Sequence, residues 1–171
     1  LNIMQKVVAI ANEFKPHGRG TVGMVQAFPN SRNVIPGRVQ FSIDIRHPDS
    51  AILEKMTALL RDFIAQVSSE KSIAIDLKEV SYFPPCNFDA NCVNTIRQAA
   101  IDLGYSQMDV VSGAGHDAIY INRLAPTGMI FIPCKDGVSH NEIEDAKSEH
   151  LEAGANVLLH SMLAFAKPIQ R

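Results

Sequence analysis

The chain has 171 residues, 46% of them hydrophobic and 20% charged, with a formal net charge of -2. That is enough for one good core or two small ones, and the slight acidic excess gives no support to nucleic acid or an anionic membrane as partner. No apolar run approaches the ~20 residues that a membrane-spanning helix needs.

In chain order, the first prediction is a helix over residues 2–14. Ile3, Val7, Ile10 and Phe14 share one face, with Val8 and Ala11 beside them. Asn2, Gln5, Lys6, Asn12 and Glu13 interrupt the apolar pattern too often for a signal peptide. Pro16, Gly18 and Gly20 end the helix. TVGMVQAF (21–28) then reads as a strand, and Pro36-Gly37 suits the middle of a type II turn. RVQFSIDIR (38–46) alternates strictly, with Val39, Phe41, Ile43 and Ile45 on one side and Gln40, Ser42, Asp44 and Arg46 on the other. One buried and one polar face are expected.

Asp49 or Ser50 can cap the next helix, in which Ile52, Leu53, Met56, Leu59, Leu60, Phe63, Ile64 and Val67 keep helical spacing. SIAIDLKEV (72–80) alternates as a strand, and the prolines of FPPCN mark a domain boundary. The order helix, strand, strand, helix, strand is that of a ferredoxin-like βαββαβ unit without its opening strand. The chain also begins at Leu1 inside a helical pattern with no cap before it, so a fragment is expected.

Beyond the boundary, a helix is predicted over 89–103, stopped by Gly104, then a strand QMDVVS (107–112), the loop Gly113-Ala114-Gly115 and a helical HDAIYINRL (116–124). TGMIFIPC (127–134) has the length and apolar continuity of a buried α/β strand. A final helix over about residues 145–166 would bury Leu151, Leu158, Leu159, Met162 and Phe165. Strands alternating with helices imply an α/β layer, and two strands alone cannot form a sheet covered on both faces.

Four places hold side chains suited to chemistry. His140 follows a predicted strand, where α/β folds tend to bind ligands, and a neutral imidazole is the commonest metal ligand; the alternative is a solvated loop histidine. His116 follows Gly115 at a predicted strand-to-helix turn, where glycine admits close approach and an imidazole can stabilise developing charge; it can equally be an ordinary helix-start residue. Arg46 ends the alternating strand and suits a bidentate clamp on a carboxylate, with Asn33 as a second donor; the plainer reading is a surface ion pair with Asp44. Cys134 is better read as packing than as a nucleophile.

Taken together, PNSRNVIPGRVQFSIDIRHPD, SGAGHDA and MIFIPCKDGVSHNE resemble the M20-type metal-dependent amidohydrolases, in the branch of N-carbamoyl-L-amino-acid hydrolase, allantoate amidohydrolase and β-ureidopropionase. The resemblance runs over essentially the whole chain. It implies an α/β fold class in two parts. Residues 1–82 would be a ferredoxin-like α+β lid lacking its first strand, which also forms the homodimer. Residues 83–171 would be the C-terminal portion of an α/β metallopeptidase-like catalytic domain.

The resemblance also implies site roles. His140 would be a ligand of a centre of two divalent metal ions (Zn, Mn, Co or Ni), Asn33 and Arg46 would hold the substrate carboxylate, and Gly115 and His116 would line the substrate pocket. The remaining ligands and the general base are expected upstream, so no catalytic residue is assigned here. The fragment itself is expected to hold no metal stably and to be inactive alone. The substrate expected of the complete enzyme is a small carbamoyl amino acid or ureido acid, hydrolysed at its C–N bond. Alternatives are another M20 hydrolase, an aminoacylase or dipeptidase, or a non-catalytic dimerisation module. Three scattered cysteines, Cys86, Cys92 and Cys134, without CxxC spacing fit a reducing, cytoplasmic setting.

Overall fold

The computed structural model describes residues 1–166 as a mixed α/β chain of helices and small sheets. It divides into two compact units, residues 1–86 with 111–113, and residues 87–110 with the chain from 114 onward. The final five residues of the expected second domain lie outside the described part.

The first unit contains α1 (Asn2–Glu13), β1 (Arg19–Thr21), β2 (Val25–Phe28), β3 (Arg38–Phe41), β4 (Asp44–Arg46) and α2 (Ser50–Lys71). Ile3, Val7 and Ile10 of α1 meet Met56, Leu60 and Ile64 of α2, and Phe41 of β3, Ile45 of β4 and Ile43 between them close the cluster. The helical spacing of those residues is what places them on facing stripes. Asp49, rather than Ser50, caps α2, its Oδ1 accepting from the Ile52 N–H at 3.1 Å. Gly20 lets β1 lie directly on α1, since a Cβ there would stand 2.7 Å from the carbonyl oxygen of Val7.

The two strands predicted over 21–28 and 38–46 are in fact two short antiparallel ladders, β1 with β4 and β2 with β3. Arg19 pairs with Arg46 and Thr21 with Asp44, whereas Val25 pairs with Phe41 and Phe28 with Arg38. Between the ladders, residues 22–24 on one side face 42–43 on the other, so one extra residue interrupts the register as a bulge does. The Met24 N–H donates to Ser42 Oγ, and the Ser42 N–H to the Met24 carbonyl, both at 3.1 Å across the gap. The expected type II turn at Pro36-Gly37 is also corrected. Gly37 is not in the left-handed region; Asn30, at the other end of the loop, is, with φ 60°.

The second unit contains α3 (Ala90–Asp102), the single-turn α4 (Ala118–Ile121), a 3₁₀ turn (Lys135–Gly137) and α5 (Ser148–Phe165). Asp89 caps α3 through the Cys92 N–H at 2.9 Å, and Gly104 ends it with φ 74°. Ala99 and Ala100 of α3 pack against Val157 of α5, with Ile130 and Tyr105 at the edge.

Three predicted strands, 72–80, 107–112 and 127–134, form no ladder among the described residues. A strand is a property of a pair, and alternation or apolarity without a neighbouring backbone leaves an extended segment. The 127–134 segment nonetheless packs as a core element. A Cβ at Gly154 would meet its Ile132 side chain at 2.6 Å. The α/β layer expected of this part is therefore helices and extended chain. The helix expected over 116–124 shortens to α4, and the last helix starts at Ser148. Leu151, Leu158, Leu159, Met162 and Phe165 are exposed rather than buried, because no described element of this unit covers them.

Candidate functional site

In the first unit, Arg46 sits at the end of β4 with its side chain fixed from two directions. Its Nε donates to Asp44 Oδ1 at 2.8 Å and its Nη2 to Asp44 Oδ2 at 2.6 Å, a two-point fork. Its Nη1 donates to the carbonyl oxygen of Gly113 at 2.7 Å. The hydrogen bond from Arg46 holds the Asp44 carboxyl below its ordinary range, and the same bond raises Arg46. Both side chains remain 49% exposed, so the pair belongs to the weak surface class. The plainer sequence reading of Arg46, a surface ion pair with Asp44, is thus present. One N–H on each Nη nitrogen makes no hydrogen bond within the described residues.

Asn33 lies in the exposed loop between β2 and β3, where its Oδ1 accepts from Ser31 Oγ at 2.8 Å. It makes no hydrogen bond with Arg46 among the described residues, so the structure does not join the two proposed carboxylate donors directly.

In the second unit, Gly115 is exposed and a Cβ there would meet nothing within 4 Å, so local crowding does not require glycine. His116 is half-buried, its ring edge-on to Phe131 with centroids 5.4 Å apart. That edge-on contact helps set the imidazole plane. His140 lies in an exposed loop in the left-handed region, φ 56°, and its N–H donates to Glu144 Oε2 at 2.9 Å. With Asn141 and Glu142 it lines a shallow surface depression.

A resident metal centre needs three or more converging donors. Among the described residues no three His, Cys, Asp or Glu side chains gather closely enough to hold an ion. The residues present therefore do not make a metal site by themselves, and His140 supplies one donor. Burial, with a smaller contribution from Asp89, raises the Cys92 thiol, the opposite of what a reactive cysteine needs. Among the described residues Cys134 makes one long contact, from Sγ to the Ile132 carbonyl.

Two features beside Arg46 escape the sequence. The Gly113 carbonyl is one, because a backbone acceptor carries no residue-type signal. Arg19 is the other. It stands opposite Arg46 in the ladder, a fact that depends on register and on the extra residue at 22–24.

Residues 5–164 match the sequence profile of peptidase family M20/M25/M40. The N-carbamoyl-L-amino-acid amidohydrolase of Rhizobium meliloti is 44% identical over 168 residues, which cover 98% of this chain and 40% of that protein. The allantoate amidohydrolase of Bacillus subtilis (strain 168) is 36% identical over 156 residues, 91% of this chain and 38% of that protein. Among solved structures, an amidase of the hydantoinase/carbamoylase family from Burkholderia vietnamiensis aligns with a TM-score of 0.90 at 52% identity, over 98% of this chain and 41% of the other. The chain thus spans about 40% of the length of the relatives it matches.

Proposed function

This chain belongs to peptidase family M20/M25/M40, and from that premise we propose that the intact protein hydrolyses the C–N bond of N-carbamoyl-L-amino acids or related ureido acids. The observation that carries the reading is the likeness, over nearly all of this chain, to the N-carbamoyl-L-amino-acid amidohydrolase of Rhizobium meliloti. In this reading residues 1–82 belong to a ferredoxin-like lid through which two copies dimerise. Residues 83–171 are the C-terminal portion of the catalytic α/β domain. The pairing of helices α1 and α2 with two short antiparallel ladders in the first unit supports the lid assignment.

Arg46 is the proposed holder of the substrate carboxylate, with Asn33 as a second donor. A guanidinium already braced by Asp44 and Gly113 loses little freedom on binding, and a fixed carboxylate orients the scissile bond. Gly115 and His116 are the proposed pocket residues. The open space at Gly115 would admit a ligand to the backbone, and the plane of His116 is set by Phe131. His140 is proposed as one ligand of a divalent-metal centre; no three His, Cys, Asp or Glu side chains among the described residues gather closely enough to hold an ion by themselves. The metals would be Zn, Mn, Co or Ni. The free thiols of Cys92 and Cys134 support a reducing, cytoplasmic setting. No described helix is long and apolar enough to cross a membrane.

The test is a substrate panel on the intact protein, comparing N-carbamoyl, N-acetyl and dipeptide forms of one amino acid with and without chelator. Chelator-sensitive turnover with the carbamoyl form fastest is expected. Preference for the acetyl or dipeptide form would replace the reading with an aminoacylase or dipeptidase. The 171-residue chain assayed alone is expected to give no turnover.

A further inference from the structure

The ladder of β1 with β4 sets Arg19 directly opposite Arg46 and Thr21 directly opposite Asp44. Directly opposed residues of an antiparallel pair project to one face, and like charges in that relation repel. Gly20, between Arg19 and Thr21, faces α1, so the two arginines stand on the face turned away from it. Both also flank one stretch of backbone. Arg46 donates to the Gly113 carbonyl, and a Cβ built on Gly113 would lie 3.7 Å from Arg19 Nε.

The two guanidinium groups differ in how they are compensated. Arg46 is neutralised by Asp44, which occupies its Nε and Nη2 fork. Arg19 donates through Nη1 to the carbonyls of Pro16 at 2.7 Å and Gly18 at 3.1 Å, and no carboxylate pairs with it among the described residues. Its Nε and Nη2 donors make no hydrogen bond within the described residues, and this is the edge that grips a carboxylate at two points. The face therefore carries two cations and one anion, and Arg19 holds the charge left over. A neutral Arg46–Asp44 pair attracts a further carboxylate feebly, because its field is that of a dipole rather than of a charge.

We propose that Arg19 is a second carboxylate-binding residue of this face, with the substrate carboxylate seated against its open Nε–Nη2 edge and the remaining Nη donors of Arg46. Arg19 then supplies the net attraction and Arg46 the orientation. This inference rests on the reading of Arg46 as a holder of the substrate carboxylate. The ligand class is a small monocarboxylate, since one positive charge is left to balance.

The test uses KM for N-carbamoyl-L-alanine in the intact protein, with thermal melting to confirm folding. R19Q keeps an amide donor for the Pro16 and Gly18 carbonyls but removes the charge. It is expected to raise KM by about tenfold, the size of one charge-assisted hydrogen bond. D44N restores the missing positive balance and leaves Arg46 at most one acceptor oxygen in place of two, so the double variant R19Q/D44N is expected to recover most of the loss. D44N alone is expected to lower KM. A role confined to bracing the turn at Pro16 and Gly18 predicts a loss that D44N does not repair, and that result overturns the proposal. An unchanged KM in R19Q beside a raised KM in R46M overturns it while leaving Arg46 in place. An unchanged KM in R46M removes the reading of Arg46 itself. Should R19Q not fold, D44N alone decides, and an unchanged or raised KM sinks the inference.

Discussion

The first unit closes a core around Val7, Ile10 and Met56, all fully buried, whereas the second buries two alanines, Ala99 and Ala100, and one valine, Val157. The difference does not come from apolar content. Helix α5 carries Leu151, Leu158, Leu159, Met162 and Leu163, each more than half exposed. A helix apolar around most of its circumference is suited to the interior of a larger layer, and one with a single stripe is suited to a surface. Helix α2 is of the second kind, with Leu53, Met56, Leu60 and Ile64 buried on one side. The helices of the first unit thus find their partners locally, whereas the principal helix of the second is only partly matched among the described residues.

The largest test of that contrast is truncation of the cores. Met56→Ala or Ile10→Ala is expected to cost about 3 kcal/mol, because each side chain is fully buried in a closed cluster. Val157→Ala removes less volume from a site with fewer large neighbours and is expected to cost about 1.5 kcal/mol or less. Urea unfolding of the three variants measures both. An equal loss at Val157 would mean that the second unit is held together as tightly as the first.

Helix caps sharpen the comparison at the next level. Asp49 and Asp89 each accept from the N–H three residues on, so Asp49→Ala and Asp89→Ala are each expected to cost about 1 kcal/mol. The consequences should differ, since α2 sits on a large core and α3 on a small one. Hydrogen exchange would read this. Asp89→Ala should loosen amides along most of α3, and Asp49→Ala only those of the first turn of α2.

The same asymmetry governs what the sequence reveals. Helices α1, α2 and α3 are legible because their apolar spacing, the capping residue Asp49 and the stop at Gly104 are all local signals. The strands are legible only as alternation. Which backbone each one meets is a long-range matter, and the extra residue at 22–24 that splits one hairpin into two ladders has no local signature. The segments 72–80, 107–112 and 127–134 read as strands because burial and alternation mark an extended chain, yet pairing is what makes a strand. For the site, Arg46 and its contact with Asp44 follow from period two. The Gly113 carbonyl, 67 residues away in sequence, and the juxtaposed Arg19 do not. Motif likeness reaches further than periodicity here, because it draws on residues whose geometry other chains have already fixed.

The smallest expected effects come from one ion pair in each unit. In the second unit Arg97 holds Asp109 across twelve residues through Nη2, at 2.9 and 2.7 Å to its two oxygens, so it ties the segment after α3 back onto the helix. In the first, Asp44 and Arg46 are two residues apart on one strand, and their pairing closes almost no chain. Arg97→Ala is therefore expected to cost about 1 kcal/mol and Asp44→Asn about 0.5 kcal/mol or less, both within the range of exposed pairs. The Asp44 contribution has a definite pH sign. The hydrogen bond from Arg46 depresses its folded-state pKa below the ordinary 3.8, so the unfolded chain binds the proton more readily. The stabilisation is complete above that value and is lost as pH falls through the depressed one. Acid unfolding of Asp44→Asn should then approach that of the unsubstituted protein at the lowest pH and diverge from it slightly above pH 4. A divergence that grows as the pH is lowered would reverse the sign and show that the pair destabilises the strand it decorates.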